Sequence, residues 1–300
     1  MNDDGSPKLI SNDLLPTMVN SQMISNPNLL DNPDFKINQR GLSEYNTDTA
    51  QVDVSVDRWL VGTSGTTEGH GAVYNVQERT LTCATYDTGG YYANLQQYIE
   101  NPKRFAGMQM TLSACISESV GYTLIQIWRT EGTKTTGVVN TPYSMDTMKQ
   151  LTFTMPADLT EDSKIRVVLQ TRGTSVFEWA KLELGPVATP FVPPNPATEL
   201  AKCQRYFYNS NRKIVFCARS GMVPYQNYYS LPVTMRANPT ITVYDAVGTA
   251  GYASLRSDDS VKVAISTACY NGRDFNFWAL NSDMTANSEY YMTFIANADI

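Results

Sequence analysis

Trp179-Ala-Lys-Leu-Glu-Leu-Gly-Pro-Val-Ala-Thr-Pro-Phe-Val-Pro-Pro194, followed by Thr198-Glu-Leu-Ala-Lys-Cys-Gln-Arg-Tyr-Phe-Tyr208, is the stretch that decides the fold. Polar and apolar residues alternate from Trp179 to Leu184 and the pattern dies at Gly185-Pro186. A strand with one buried face has this period, and the Gly-Pro pair cannot continue its ladder. Pro190, Pro193, Pro194 and Pro196 then make a stiff, extended spacer poor in backbone donors. A second strand is predicted to start at Cys203-Gln-Arg-Tyr-Phe-Tyr. The stretch reads as a seam between two all-β modules.

Working outward, the period-two signal recurs on both sides. In Val52-Asp-Val-Ser-Val-Asp-Arg-Trp-Leu-Val the valines at 52, 54 and 56 share one face, which predicts a single half-buried strand. Further strands are predicted at 71–77, 80–86, 108–117, 122–129, 150–154, 164–170 and 177–184. Leu95, Tyr98 and Ile99 stand at i, i+3 and i+4 and predict one helical turn ended by Asn101-Pro102. After the seam, strands are predicted near 203–208, 213–219, 228–231, 240–244, 261–267, 275–280 and 290–295. Many short strands separated by turn signals predict an all-β chain of two tandem antiparallel β-sandwich or jelly-roll domains with a short N-terminal arm. The expected boundaries are an arm at 1–27, a jelly roll at 28–192, a Pro-rich linker at 193–197 and a terminal sandwich at 198–300.

The composition agrees. The 300 residues are 42% hydrophobic and only 17% charged, with 18 tyrosines, which suits β-structure with an uncharged polar surface rather than disorder. The net charge of −6 and the lack of any Lys/Arg-rich run argue against nucleic-acid and anionic-membrane partners. No apolar run is long enough to span a bilayer, and the acidic first residues do not read as a secretion signal. Five cysteines, none in Cys-x-x-Cys spacing, predict free thiols buried as small hydrophobes in a protein made in a reducing cytoplasm.

Candidate chemistry is sparse. His70 is the only histidine, so neither a His-based catalytic relay nor a two-histidine metal site fits in one chain. Asp57, Glu68, Glu78 and Asp87 lie in the first module, but nothing marks two of them as a glycosidase pair. Asp258-Asp-Ser and Asp158-Leu-Thr-Glu-Asp lack the ligand register of a calcium loop. The expectation is no enzyme, no metal and no cofactor. The aromatics are the better candidates, because sugar rings stack on Trp and Tyr while amides and charged groups bind their hydroxyls. Tyr225, Tyr228 and Tyr229 fall in one short segment; Asn271, Arg273 and Asp274 form a turn next to Trp278. The same rings also fit a core or a subunit interface, and both readings stand. Trp59, Trp128 and Trp179 sit in strand patterns and are expected in the core. Leu14, Leu15, Met18, Met23 and Ile24 give the first 27 residues too little apolar surface for a core. That segment reads either as a flexible tail or as an arm that docks on a partner.

Several ordered segments carry a resemblance. Asn28-Leu-Leu-Asp-Asn-Pro-Asp-Phe-Lys-Ile-Asn-Gln-Arg-Gly, Val56-Asp-Arg-Trp, Tyr91-Tyr-Ala-Asn-Leu-Gln-Gln-Tyr-Ile-Glu, Phe105-Ala-Gly-Met-Gln-Met-Thr-Leu-Ser-Ala and Trp179–Phe191 are similar to a carbohydrate-binding-module-like jelly roll of bacteriophage tail-fibre and head-fibre proteins. Cys203-Gln-Arg-Tyr-Phe-Tyr, Met235-Arg-Ala-Asn-Pro-Thr and Tyr290-Tyr-Met-Thr-Phe-Ile-Ala-Asn-Ala-Asp resemble the C-terminal module of the same proteins. The resemblance covers residues 28–300. It implies a non-enzymatic virion appendage, a homotrimer assembled in the bacterial cytoplasm, whose partners are other virion proteins and host-surface glycan. Two alternatives are a purely structural joint or decoration without ligand, and a polysaccharide depolymerase.

Overall fold

The computed structural model describes residues 25–47, 52–63, 72–83, 91–218, 225–279 and 284–299. They are almost entirely antiparallel β-structure and fall into two compact units. Among the described residues, one is drawn from 25–34, 44–53 and 60–194, the other from 35–43, 54–59 and 195–299. Among the described residues no helix is long and apolar enough to cross a membrane. The docking candidates Leu14, Leu15, Met18, Met23 and Ile24, together with His70, Glu68 and Asp87, lie outside the described residues.

The first unit contains β1 (Glu44–Thr47), β2 (Val52–Val54), β3 (Leu60–Thr63), β4 (Ala72–Asn75), β5 (Thr80–Cys83), β6 (Ala93–Tyr98), β7 (Gln109–Glu131), β8 (Lys134–Asn140), β9 (Met148–Thr154) and β10 (Lys164–Leu184). The predicted pairs 108–117/122–129 and 164–170/177–184 are thus two long strands, β7 and β10, paired to each other along nearly their whole length. One half of this ribbon is flanked by β6 and β8; the other half is flanked by β5 and β9. Between the halves stand Gly121 and Gly173, opposite each other at φ +124° and +120°. A Cβ on Gly121 would lie 1.9 Å from the Arg172 carbonyl oxygen, and one on Gly173 would lie 2.0 Å from that of Val120. Only glycine fits, and the ribbon turns a corner there from one layer of the sandwich to the other. The inner faces meet over Val61, Tyr74, Leu81, Leu95, Leu112, Ile125, Ile127, Val167, Leu169 and Phe177, all fully buried.

The deciding strand differs from its pattern in one respect. Lys181 and Glu183 occupy positions that alternation assigns to solvent, yet their side chains are 1% and 0% exposed. The chain after Gly185 folds back over them, and Ser25 closes the side. Lys181 Nζ lies 3.3 Å from Glu183 Oε2 and donates to Ser25 Oγ (2.8 Å), Thr189 Oγ1 (2.6 Å), Thr189 O (3.2 Å) and Pro190 O (3.1 Å). Glu183 accepts from the Thr189 backbone N–H at 2.8 Å and from its hydroxyl. Phe191 stacks on Trp179 with centroids 4.7 Å apart. The prolines therefore form a strap over the last strand before the chain leaves this unit.

Three expectations are corrected. Residues 95–98 belong to strand β6, with Ile99 following it, and not to a helical turn, because β3 and β10 bind the two edges of the strand. The run from Val52 to Val61 is not one strand: it breaks at Arg58 (φ +72°), where the Trp59 N–H donates to Val56 O at 2.9 Å. The Cys203 stretch begins as helix, α1 (Pro196–Gln204), with Asn195 Oδ1 accepting from Ala197 N (3.0 Å) and Thr198 N (3.2 Å) and Pro196 in the first turn. The strand starts only at Phe207.

The second unit adds β11 (Phe207–Asn209), β12 (Ile214–Cys217), β13 (Tyr225–Ser230), β14 (Thr240–Tyr244), β15 (Tyr252–Leu255), β16 (Asp258–Ala264), β17 (Ser266–Cys269), β18 (Asp274–Ala279) and β19 (Glu289–Asn297). β19 is the spine of one sheet, pairing with β11, β12, β14 and β15; β13, β18 and β17 make the other. Phe216, Val243, Phe275, Phe277, Tyr290, Met292 and Phe294 fill the core between them. Residues 35–43 and 54–59 pack here: Trp59 is buried against Phe35 with centroids 4.9 Å apart, and buried Asp57 accepts from Gln39 N and Nε2, each at 2.6 Å. Burial pushes the Asp57 carboxyl up, and the Gln39 bonds pull it back. Cys83 and Cys203 are buried as expected, but Cys115 and Cys269 are half-buried and Cys217 is exposed, against the expectation of burial.

Candidate functional site

The strand register of the first unit builds a polar floor on the outer face of one layer. Gln96 of β6 stands opposite Val168 of β10, and Asn94 opposite Gln170. On the other side of β10, Trp128 of β7 stands opposite Arg166, and Gln126 opposite Val168. Side chains two apart share a face, so Asn94, Gln96, Gln126, Trp128, Arg166, Val168 and Gln170 lie together. Their neighbours Leu95, Ile127, Val167 and Leu169 point into the core.

These side chains line a groove of about 290 Å³, completed by Val52, Thr63 and Tyr92. Two hydrogen-bonded chains cross its floor. Arg166 Nη1 donates to Gln96 Oε1 at 2.8 Å, and Gln96 Nε2 donates to Asn94 Oδ1. Gln126 Nε2 donates to Gln170 Oε1 at 2.8 Å, and Gln170 Nε2 donates to the Tyr143 hydroxyl. Asn94, Gln96, Gln126 and Gln170 are thereby held rigid although nearly buried. Asn94 Nδ2, Gln126 Oε1 and Arg166 Nε have no protein hydrogen-bond partner among the described residues. Trp128 is half-buried, faces the groove rather than the core, and lies 5.8 Å from the Arg166 guanidinium carbon.

Gly62 keeps the groove open. It stands opposite Asn94, and a Cβ there would meet Asn94 Oδ1 at 2.9 Å and Gln96 Nε2 at 3.0 Å. At the far end the Arg172 guanidinium lies over the Tyr143 ring at 4.2 Å. Burial pushes the Tyr143 phenol up and Arg172 pulls it partly back, so it stays a neutral donor and acceptor near pH 7. Among the described residues no carboxylate lines the groove. The arrangement can hold a ligand rich in hydroxyls by hydrogen-bonded amides, one cation and an aromatic edge.

The residues singled out in the sequence lie in the second unit. Tyr225, Tyr228 and Tyr229 fall on β13, which pairs with β18 bearing Asp274 and Trp278; Asn271 and Arg273 are in the turn before it. Tyr228 (69% exposed) and Trp278 share the outer face with Asn276. Tyr229 is turned inward onto Phe275 and Phe294, at 5.6 and 5.1 Å. Asn271 Oδ1 accepts from Arg273 N (3.0 Å) and Asp274 N (2.7 Å), while Asp274 accepts from Asn271 Nδ2 (2.9 Å) and Ser230 Oγ (2.6 Å). Those last two bonds hold the Asp274 carboxyl below the usual range. The polar groups of this turn thus bind one another. A second hollow of about 300 Å³ beside Phe207, Tyr244 and Phe294 contains Arg40, but that cation is paired with Asp299 and covers the Phe207 ring at 3.9 Å.

No family model matches the chain, and no curated protein does either. Among solved structures, the enzymatically active domain of bacteriophage CBA120 tailspike protein 4 is similar over 53% of this chain and 21% of its own, at 16% identity and a TM-score of 0.29. A family 4 carbohydrate-binding module is similar over 52% of this chain and 99% of its own, at 14% identity and a TM-score of 0.30. A family 11 carbohydrate-binding module from Clostridium thermocellum, solved with a mixed-linked β-1,3-1,4 tetrasaccharide, is similar over 56% and 99%, at 12% identity and a TM-score of 0.29. Likenesses this slight carry no argument about function.

Proposed function

We propose that the chain is a non-catalytic glycan-binding subunit of a bacteriophage fibre or appendage, and that it binds sugar in the groove of its first unit. The single observation that carries the glycan reading is the floor of Asn94, Gln96, Gln126 and Gln170, locked in two hydrogen-bonded chains beside Arg166 and Trp128. Fixed amides present donors and acceptors to hydroxyls without losing side-chain entropy on binding, and Trp128 supplies apolar area. The test is affinity electrophoresis of the whole chain through gels containing polysaccharides. Retardation by at least one polymer, lost in Trp128→Ala and in Gln126→Ala, is expected; free migration through every polymer refutes the reading.

The virion setting rests on the resemblance of residues 28–300 to phage fibre modules. In that setting the N-terminal segment with Leu14, Leu15, Met18, Met23 and Ile24 docks on a capsid, tail or adaptor protein, and three chains assemble. Three weak sites on one rigid body gain avidity without new contacts. The outer face of β13 and β18, with Tyr228 and Trp278, is a second place for glycan contact or for a sister chain. Sedimentation giving a stable monomer at micromolar concentration would refute the trimer while leaving the groove reading intact.

A further inference from the structure

Resting on the glycan-binding reading, we infer that the groove selects acidic polysaccharide, engaging the carboxylate of a uronic-acid sugar with Arg166 and, further along, with Arg172. Arg166, Val168, Gln170 and Arg172 alternate along β10 and share one face. Their ends are six residues apart, or about 20 Å of strand. Two guanidinium groups thus bracket a row several sugar rings long. Neither arginine forms an ion pair among the described residues, and the Nε of each is buried without a hydrogen-bond partner. The Arg166 contact is a neutral one, Gln96 Oε1 at 2.8 Å; Arg172 lies over Tyr143.

Four other arginines are paired with carboxylates, whereas Arg104 and Arg236, which also rest on aromatic rings without an ion pair among the described residues, are exposed. Arg40 is paired with Asp299, Arg79 with Glu178, Arg129 with Asp158 and Glu131, and Arg256 with Glu289. Half-buried cations left without a counter-ion are costly unless something supplies one. A carboxylate matches the planar guanidinium fork, whereas a neutral hydroxyl uses only one of its donors. The net charge of −6 repels a polyanion from the rest of the surface, so the groove is where such a ligand gains most.

The test titrates the full chain calorimetrically with uronate oligosaccharides (galacturonate, mannuronate and glucuronate series), each paired with the same oligosaccharide after its carboxyls are reduced to alcohols. At least one acid form is expected to bind about tenfold or more tightly than its reduced partner, because a hydrogen bond to a charged group is worth more than a neutral one. Added salt should erode that ratio, and it should collapse toward unity in Arg166→Gln but not in Arg256→Gln. Arg172→Gln, which removes a contact with Tyr143 but none with the Gln96, Asn94 or Gln126 amides, should narrow the ratio and serves if Arg166→Gln does not fold. Equal binding of acid and reduced forms overturns the charge selectivity and leaves glycan binding standing. Selectivity that survives in both variants overturns the assignment to these arginines. Binding of no acid or reduced oligosaccharide, with gel retardation by neutral polymers, again sinks only the selectivity; silence in both assays sinks the parent reading too.

Discussion

Replacing Lys181 with methionine removes an ammonium whose surroundings are fully described. Its Nζ has the Glu183 carboxylate at 3.3 Å and hydrogen-bonds to Ser25, Thr189 and Pro190, with both charged side chains essentially inaccessible. Methionine fills a similar volume, so little of the loss comes from a cavity. What remains among the described residues is a buried carboxylate stabilised by the Thr189 N–H and hydroxyl, and a Thr189 carbonyl without its donor, while the Pro190 carbonyl keeps the Ser25 hydroxyl at 2.7 Å. Breaking a buried pair on one side costs about 3–5 kcal/mol. For a unit of this size each kcal/mol lowers Tm by about 2–4 °C, so the melting transition of the first unit should fall by about 6–20 °C. The double replacement Lys181→Met with Glu183→Leu removes both charges and should recover most of that loss. Scanning calorimetry of the three proteins measures it. A single variant that melts within about 2 °C of the parent, or a double variant worse than Lys181→Met alone, would refute the claim that the strap is held by a mutually dependent pair.

Other outcomes follow from the same geometry. Gly121→Ala or Gly173→Ala places a methyl on a backbone carbonyl oxygen at a positive φ, and should destabilise the first unit by about 3 kcal/mol or more, read as reduced soluble yield and an early urea midpoint. Gly62→Ala, at an ordinary φ, should displace the Asn94 and Gln96 amides and weaken glycan retardation about tenfold while shifting Tm little; unchanged retardation counts against the groove. Burial acts to raise the Asp245 carboxyl, but Lys262 at 2.5 Å and the N–H groups of Thr249 and Val247 outweigh it and hold its pKa at about 2. Because that lies below the ordinary value, the stability it contributes is complete above about pH 4 and is lost as the pH falls toward 2. Asp245→Asn should therefore flatten the acid limb of a stability-against-pH curve, and an unchanged limb would contradict the linkage.

Much of the strand content was legible because one-face burial writes itself as a period of two. Phe275 and Phe277 did so plainly. The errors have local causes. The Asn195-Pro196 pair with Glu199 beyond is a helix-start signal, but the aromatics after it favoured a strand reading. Leu95, Tyr98 and Ile99 imitated a helical face because the residues between them, Gln96 and Gln97, are polar and yet buried. Corner glycines look like loop glycines until their partner across the ladder is known. The groove stayed hidden for a related reason: Gln96 falls in the stretch that reads as a helical turn, Trp128 reads as core, and Arg166 with Gln170 reads as one side of a single strand. Amides at alternate positions on three strands, with an arginine on one and a tryptophan on another, are the signal that was available. The pairing that assembles them across more than seventy residues was not.

The corner glycines have a mechanical consequence. Since β7 and β10 run unbroken through both layers, the layers share two continuous backbones. Peeling one layer away requires rupturing the ladder that also clamps the other, so local opening should be suppressed and amide exchange along both strands should occur mainly by whole-unit unfolding. A tug along β10 loads many of its rungs in parallel, as in a lap joint, so the unit should resist shear better than it resists heat.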